Sequence, residues 1–432
     1  MAEWNWSGTV QYASETVVEA RTVDEVRAAV ARPGPLRTLG TRHSFSSIAD
    51  TGGILIDVTG LPFDPVLDED AAEVTVGAGT RYAVIASFLQ ERGWALANMG
   101  SLPHISVGGA ISTGTHGSGD TLQNLSGSVR GLELLTPTGD LVCLRHNEPD
   151  FAGAVVGLGA LGVLIRVTLA IQPSYSVRQE IYRGLTWEEL LTGTPATVLG
   201  STMLPSGRTD TIFGAGYSVS LFTDWVSPTV LDLLIKYRID DPAFEPPETL
   251  AEARRLNQAE LMARSQLEGM GNWTECGVPG PWCDRLPHFR IDATPSRGEE
   301  IQTEYFVPRE RAGEAMAAMR AIGRELIGPL LITELRTVAA DDLWLSPCYG
   351  QDCLGIHFTW FKQPDEVRAR IPLIEETLAP FQARPHWGKV FDLDALDVDA
   401  RYPKAGDFRR LAEQLDPDGR LRNDFLRRTI WR

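Results

Sequence analysis

The chain of 432 residues is poor in basic residues and has almost no lysine. Lysine and arginine together number 40, against 57 aspartate and glutamate residues, and the formal net charge is −17. A phosphate backbone or an anionic membrane surface needs a basic face, so this balance argues against nucleic acid and membrane as partners. The lysines are only four, and each is therefore a candidate for a specific role: Lys236, Lys362, Lys389 and Lys404.

Long apolar runs are absent, and cysteine is scarce. No window of about 18 apolar residues exists, which excludes a membrane-spanning helix. The first residues, Met1 to Trp6, lack a cationic start followed by an apolar run, so no secretory signal peptide is predicted. The five cysteines lack the spacing of zinc ligands, and no histidine pair completes a set. We therefore expect no metal site, and free thiols in a reducing cytoplasm.

The composition that remains is that of a globular protein, with 43% hydrophobic and 22% charged residues. This length predicts two or three domains. Residues 1–173 are predicted to form an α+β domain in which strands group in pairs. Its predicted helices cover 23–31 and 82–92, and its predicted strands cover 36–39, 53–58, 72–76, 129–135, 141–144 and 162–171.

A second domain is predicted over residues 174–386, which are richer in tryptophan. It ends in a helix, two strands and a helix, at 310–327, 330–338, 354–361 and 365–381. That order indicates a sheet covered on one face by helices. Residues 387–432 are too short to fold alone, and we expect them to pack back on the first domain.

A dinucleotide fingerprint occurs at Gly157-Leu158-Gly159-Ala160-Leu161-Gly162. In a Rossmann fold a helix follows this motif, so that phosphate lies at the helix N-terminus. Here the next residues, Val163 to Leu169, are rich in β-branched side chains and predict a strand. The motif therefore indicates a glycine-lined turn close to a ligand, and a nicotinamide site is not expected.

Two other segments, 40–46 and 100–119, are rich in glycine, serine, threonine and histidine and show no helical pattern. Small residues allow backbone to approach a ligand, and consecutive N–H groups can bind an anion. Together the segments could hold a pyrophosphate; the alternative is a pair of flexible surface loops. His43 lies in the first segment beside Arg42, whose charge would help to keep the imidazole neutral and nucleophilic.

Polar residues alternate on two strands of the second domain. Glu334 and Arg336 are two residues apart, and so are His357 and Thr359, so each pair projects to one face of its strand. If the strands pair, the four side chains form a polar sheet face, which would suit a neutral polyhydroxylated ligand; the alternative is a solvent-facing surface. A charged aromatic stretch that contains Lys389 follows at 384–391.

Three segments carry a resemblance to a known family: RTLGTRHSF (37–45), SLPHISVGGAISTGTHGSG (101–119) and RPHWGKVF (384–391). They resemble the vanillyl-alcohol-oxidase-type family of FAD flavoproteins. Within it the likeness is greatest to the alditol oxidases, which also resemble this chain in GYSVSLFTDW (216–225), CGVPGPWCDRLPHF (276–289) and ELRTVAADDLWLSPCYG (334–350). The resemblance implies an α+β flavoprotein of two domains. Residues 1–173 and 387–432 would bind FAD, and 174–386 would form a substrate cap of sheet and helices.

The resemblance also implies residue roles. His43 would carry a covalent bond to the flavin 8α-methyl group. The other FAD contacts would be Thr41, Arg42, Ser44, Ser101, Ser106, Gly109, Thr113, Gly114, His116, Gly162 and Val163. The polyol would be bound by Ser101, Glu334, Arg336, His357, Thr359 and Lys389. Of these, Arg336 and Lys389 would stabilise negative charge on the C1 oxygen and the reduced flavin, and His357 or Lys389 would take the hydroxyl proton.

The activity implied is that of an FAD-dependent alditol oxidase. The terminal hydroxyl of a linear polyol, such as xylitol or sorbitol, would be oxidised to give an aldose, while O2 is reduced to H2O2. A polyol and O2 are the expected partners of what would be a monomer. Two alternatives are an aldonolactone oxidase or dehydrogenase of the same fold, which shares the His-Trp-x-Lys ending, and a non-catalytic sugar- or flavin-binding protein. The stretches 276–289 and 334–337 favour the alditol group.

Overall fold

The computed structural model describes residues 3–192, 212–267, 272–293 and 298–432. Within these ranges the strands form four sheets. None of the helices there is long and apolar enough to cross a bilayer.

The chain begins with a small parallel sheet. Its three strands lie in the order Thr16–Glu19, Ile54–Asp57 and Leu36–Leu39. The helix Val23–Val30 connects Thr16–Glu19 to Leu36–Leu39. It begins at a capping box in which Thr22 and Glu25 satisfy each other's backbone N–H groups. The predicted helix and strands of this region are confirmed.

A five-stranded antiparallel sheet follows. Its strands lie in the order Val66–Asp68, Glu73–Gly77, Val163–Ala170, Val129–Leu135 and Leu141–Arg145. The helix Tyr82–Gln90 buries Tyr82, Ile85, Ala86 and Leu89 against this region. The glycine motif at 157–162 leads into a strand, as predicted, and not into the helix that a Rossmann site requires. The remaining short elements here are Trp94–Ala95, which pairs with Gln172–Pro173, and the helix Phe151–Val155.

One prediction for this region is wrong. The segment 100–119 was expected to lack helix, but Val107–Ser112 is helical. The helix buries one short apolar face, formed by Val107, Ala110 and Ile111 at helical spacing. The helical pattern was not recognised because glycine and serine surround these three residues.

The largest sheet has ten strands within the described residues and carries the second half of the site. In order they are Thr249–Leu250, Ala253–Arg255, Ser176–Arg183, Asp232–Ile239, Ser218–Thr223, Leu330–Val338, Cys353–Phe361, Glu300–Pro308 and Arg384–Pro385, with Pro279–Pro281 beside Ser176–Arg183. The short helices Trp187–Thr192 and Gln258–Leu267 lie between its strands in the sequence.

Helices pack on one face of this sheet, as predicted. Ala312–Ala321 and Pro364–Leu378 both contact the strand Glu300–Pro308. The single helix expected at 310–327 is divided, with a second piece at Gly323–Leu326. A Cβ on Gly323 would lie 2.7 Å from the Cβ of Trp225, so this close approach requires glycine where the helix is interrupted.

The C-terminal residues contact the first sheet. Their helices are Val398–Arg401, Ala405–Leu415 and Asp424–Thr429. The Leu36 N–H donates to Arg420 O at 2.8 Å, and Arg37 Nη1 donates to Leu421 O at 3.1 Å. Asn423 donates to Ile48 O at 3.0 Å. These bonds join the two ends of the chain; the domain limits at 173 and 386 stay predictions.

Candidate active site

A cavity of about 420 Å³ lies between the two glycine-rich segments and the open face of the large sheet. One wall is formed by residues from Gly40–Phe45 and from the segment that follows Gly100. The opposite wall is formed by polar side chains from the strands Glu300–Pro308, Leu330–Val338 and Cys353–Phe361. The glycine-rich segments are therefore walls of a cavity and not surface loops.

Strand register assembles the polar wall. Glu334 pairs with His357, and His357 pairs with Glu304, so these three side chains form a row on one face. Thr359 lies in the next row, between Ile332 and Gln302. The predicted pairing of the two strands is confirmed, and Glu334, Arg336, His357 and Thr359 all line the cavity.

Glu304 is the centre of a buried charge cluster. Its Oε1 accepts from Arg336 Nη2 at 2.8 Å and lies 3.0 Å from His116 Nε2. Its Oε2 lies 3.8 Å from Lys389 Nζ. Burial alone would raise the pKa of Glu304, but His116 and Arg336 hold it well below its usual range. Glu304 is therefore a carboxylate that balances two cations at the cavity wall.

Glu334 is the second buried carboxylate. Its Oε1 lies 2.7 Å from His288 Nε2, and its Oε2 lies 3.7 Å from Arg336 Nε and 3.6 Å from His357 Nδ1. Arg336 and His288 outweigh burial and hold the pKa of Glu334 well below its usual range. An ionised Glu334 can accept hydrogen bonds from hydroxyl groups in the cavity.

Lys389 reaches the same wall from the C-terminal segment. The bond from Val390 N–H to Gln302 O, at 3.0 Å, fixes the backbone beside it. Lys389 Nζ donates to Gln302 Oε1 and lies 3.3 Å from His357 Nε2. Burial lowers the pKa of Lys389 to about 8 and that of His357 to about 4. Neutral His357 thus accepts from Lys389 through Nε2.

His43 lies on the opposite wall. Its ring stacks on Trp6, with centroids 4.9 Å apart, and its Nδ1 is buried without a hydrogen-bond partner. Burial lowers the pKa of His43 to about 4, and Arg81 acts in the same direction. Arg42 was expected to keep the imidazole neutral. It does not do so, because its guanidinium pairs with Glu3 and, at 2.9 Å, with Asp57. The imidazole is neutral, but burial is the main reason.

The cavity brings together nearly all residues that the sequence singled out. Gly114 and Val163 are the exceptions, since neither lines it. Gly114 has a φ of +68° and packs near Pro347, while Val163 packs in the core with Leu135 and Leu421. The lining members are Thr41, Arg42, His43, Ser44, Ser101, Ser106, Gly109, Thr113, His116, Gly162, Glu334, Arg336, His357, Thr359 and Lys389.

Sequence reasoning missed the third strand of the polar wall. Glu300, Gln302 and Glu304 alternate along EIQTEYFVP, and all three line the cavity. The period of two that identified Glu334 and Arg336 could have identified them too. His288 was also missed; it comes from a distant irregular segment with no local pattern that could place it at this wall.

Comparison with known proteins gives the family. An alditol oxidase from Streptomyces sp. is 41% identical over 98% of this chain and 97% of its own length. The chain belongs to the alditol oxidase family. Residues 14–145 match the model described as an FAD binding domain. Residues 293–429 match the model described as D-arabinono-1,4-lactone oxidase.

Other relatives of this alditol oxidase family member are less similar. An L-gulono-1,4-lactone dehydrogenase from Mycobacterium tuberculosis is 28% identical, over 99% of this chain and 98% of its own. L-gulonolactone oxidase from Bos taurus is 26% identical over the same shares. A solved structure of cholesterol oxidase from B. sterolicum superposes with a TM-score of 0.76 at 16% identity, over 99% of this chain and 96% of that one. The fold is that of the vanillyl-alcohol-oxidase-type flavoproteins.

The cavity fits the FAD that the alditol oxidase family uses. A Cβ on Gly40 would lie 2.3 Å from Ser106 Oγ, so the two glycine-rich segments are in close contact there. Thr41 Oγ1 accepts from Ser106 N–H at 3.0 Å and joins them. The unpartnered His43 Nδ1 on this wall, and Arg336 Nε, Glu304 Oε2 and His357 Nδ1 on the other, are polar atoms available to ligands.

Proposed function

We propose that this protein oxidises the terminal hydroxyl of linear polyols such as xylitol and sorbitol to give the aldose, with O2 reduced to H2O2. The observation that carries the proposal is the buried polar wall, in which carboxylates, cations and a neutral imidazole alternate over three paired strands. A polyol presents a hydroxyl on each carbon and has no net charge. Such a ligand matches a wall with many donors and acceptors whose charges are balanced.

Each wall residue has a role in this proposal. Glu334 and Ser101 bind hydroxyls near the reacting carbon, and Thr359 binds a hydroxyl farther along the polyol. Arg336 and Lys389 stabilise negative charge that develops on the C1 oxygen. The hydroxyl proton passes to Nε2 of the neutral His357, which lies 3.3 Å from Lys389 Nζ. Exclusion of water strengthens these interactions, because the charged groups are almost fully buried.

FAD would be held by the glycine-rich wall, with Thr41, Ser44, Ser106, Gly109 and Thr113 among its contacts. When bound, FAD supplies the redox chemistry, accepting a hydride from the substrate and passing electrons to O2. The backbone N–H groups of these segments suit its pyrophosphate. Arg42, Ser101, His116 and Gly162 line the same cavity and would be further FAD contacts, whereas Gly114 and Val163 do not line it.

We further propose that the FAD is covalently bound through His43. The support is a neutral imidazole with an unpartnered Nδ1 on the cavity wall. Protein precipitated with acid is expected to stay yellow, because a covalent link survives unfolding. The His43→Ala variant should hold FAD that acid releases, or little FAD. His146→Ala is the control, since His146 packs on Phe151 outside the cavity. Complete release of flavin from the wild type would refute the linkage.

Charge balance at Glu304 gives a second prediction. Replacing it with glutamine keeps the shape but leaves Arg336 and Lys389 facing a neutral group. Loss of one partner from a buried ion pair costs about 3–5 kcal/mol. We expect Glu304→Gln to lower the thermal unfolding midpoint, as measured by flavin fluorescence on heating. A midpoint equal to that of the wild type would mean that the cations do not depend on this carboxylate.

A lactone oxidase is the second candidate, because residues 293–429 match the D-arabinono-1,4-lactone oxidase model. An aldonolactone differs from a polyol by its ring and carbonyl oxygen. Peroxide production measured in parallel on linear polyols and on aldonolactones separates the two. We expect peroxide with the polyols; peroxide only with the lactones would reverse the assignment.

We propose that the enzyme is a monomer of the cytoplasm. Cys143, Cys283, Cys348 and Cys353 are free thiols, which suits a reducing compartment. Size-exclusion chromatography with light scattering tests the monomer: a mass of 47.4 kDa is expected, and about twice that mass would refute it.

A further inference from the structure

A fully buried lysine lies behind the polar wall and has no part in the mechanism above. Lys236 is 1% exposed and sits on the strand Asp232–Ile239. It pairs with Ser218, while Phe222, on the strand of Ser218, pairs with Glu334. Lys236 and Glu334 therefore project from the same sheet face. A buried ammonium is costly unless every N–H group is matched.

The Lys236 ammonium faces three acceptors. It donates to Leu286 O, lies 3.4 Å from Pro287 O, and lies 3.4 Å from His288 Nδ1. Burial lowers the pKa of Lys236 to about 7, so below that pH Nζ is an ammonium with three donors and no acceptor, and His288 Nδ1 accepts from it. A neutral His288 that accepts through Nδ1 carries its proton on Nε2.

That Nε2 proton points at the polar wall. His288 Nε2 lies 2.7 Å from Glu334 Oε1, and a carboxylate can only accept. The ring is held between neighbours, since it stacks on Trp273 with centroids 5.4 Å apart and 21° between planes. Backbone bonds from His288 N–H and Phe289 N–H to Ser101 O, at 3.1 and 3.2 Å, fix the segment beside the cavity.

We propose that Lys236 and His288 are positioning residues that act through Glu334. Lys236 fixes the Nε2–H tautomer of His288, and His288 holds Glu334 Oε1, so that Oε2 is left to accept from a substrate hydroxyl. The proposal rests on the proposed function, because it gives Glu334 a polyol hydroxyl to bind. It adds two residues to the recognition of that substrate and explains why a lysine persists at this position.

Loss of Lys236 removes the restraint on His288. Nδ1 then has no donor, and the ring can take up a second proton beside the Glu334 carboxylate, because the Lys236 charge no longer lowers the pKa of His288. The charged and titratable groups that face the pair are Glu334, Arg336 and Cys276. The ring then pairs with Glu334 as a cation and is no longer anchored through Nδ1, so Glu334 Oε2 is no longer held toward the substrate.

The first test is a double-mutant cycle on kcat/KM for xylitol. Lys236→Met, which keeps the length of the side chain, should raise KM about tenfold with FAD content and kcat near wild type. In a Glu334→Gln background the same change should have no further effect. Lys404→Met is the control, as Lys404 pairs with Asp407 at the surface. An equal loss in both backgrounds would mean that Lys236 does not act through Glu334.

The second test does not use activity. Nuclear magnetic resonance of protein labelled with 15N-histidine reports the tautomer, and comparison with His288→Gln assigns the signal among seven histidines. We expect Nε2–H in the wild type at pH 6, where Lys236 carries its proton; an Nδ1–H signal there would overturn the proposal. If Lys236→Met fails to fold, an Nδ1–H signal in the wild type would still refute the proposal. Glutamine keeps an acceptor and a donor, so His288→Gln should keep more activity than His288→Ala, and equal losses would count against the proposal.

The two proposals fail in different ways. If the wild type carries the Nε2–H tautomer but produces no peroxide from polyols, then the proposed function is wrong and the restraint on Glu334 stands. If it produces peroxide from polyols but carries the Nδ1–H tautomer, then the positioning role is wrong and the proposed function stands.

Discussion

Replacing Glu334 with alanine is expected to remove polyol turnover while the spectrum of the bound flavin stays unchanged. Glu334 accepts from His288 Nε2 at 2.7 Å and lies within 3.7 Å of Arg336 Nε and His357 Nδ1. The variant loses the acceptor for a substrate hydroxyl and leaves three donor groups around a void. Loss of the hydrogen bond between this carboxylate and a substrate hydroxyl costs about 1.5–3 kcal/mol, or roughly 10- to 150-fold in kcat/KM.

Two comparisons separate a binding role from a general loss of structure. Glu334→Gln keeps the volume and should retain more thermal stability than Glu334→Ala, although turnover is still lowered. Glu376→Ala is the matched control, because Glu376 is exposed on the helix Pro364–Leu378 that covers the opposite sheet face. Turnover by Glu334→Ala equal to that of the wild type would mean that the polyol binds elsewhere.

The second large effect is expected for Lys389→Arg. Lys389 is held by Gln302 Oε1, by His357 Nε2 at 3.3 Å and by Glu304 Oε2 at 3.8 Å, and only 15% of its side chain is exposed. A planar guanidinium keeps the charge but does not fit the space of a compact ammonium. We expect anaerobic flavin reduction by polyol to slow about a hundredfold or more, with FAD retained.

Stopped-flow absorbance under anaerobic conditions measures this step apart from reoxidation. Lys404→Arg is the control, since Lys404 pairs with Asp407 away from the cavity. If the flavin of Lys389→Arg is reduced at a rate within a factor of about two of wild type, then the shape of the Lys389 side chain does not matter for this step.

The pH dependence of that rate has a definite sign. Burial lowers the pKa of Lys389 to about 8, so the ammonium loses its proton as the pH rises through this value. If the cation stabilises the developing charge, reduction in the wild type slows above pH 8. The Lys389→Arg variant, whose guanidinium stays charged, should show no such step. A wild-type rate that rises through pH 8 would instead indicate that the neutral amine is required.

Much of the fold could be predicted where the hydrophobic pattern was regular. The strand Leu330–Val338 was located to the residue, and its alternation correctly indicated one polar face shared with His357 and Thr359. Val107–Ser112 was missed because its buried face is only three residues within a glycine-rich segment. The pattern reports long elements well and short ones poorly, since a single turn gives little periodicity.

The candidate site was predictable only in its local parts. Glu304 alternates visibly on its own strand, but its contacts with His116 and Arg336 depend on register between distant strands. Arg42 next to His43 in the sequence suggested an electrostatic effect, yet its side chain pairs with Glu3 and Asp57. Adjacency in sequence was therefore a poor guide to which charge acts on His43. The burial that lowers its pKa could not be predicted from the sequence.

The most direct test of the account is peroxide formation by the purified holoenzyme with xylitol and sorbitol in air. We expect H2O2 in amounts equal to the aldose formed, because each terminal hydroxyl that is oxidised delivers two electrons to O2. The Glu334→Ala variant, still yellow, should form almost none. Absence of peroxide with every linear polyol tried, from enzyme whose flavin is bound and intact, would contradict the central claim.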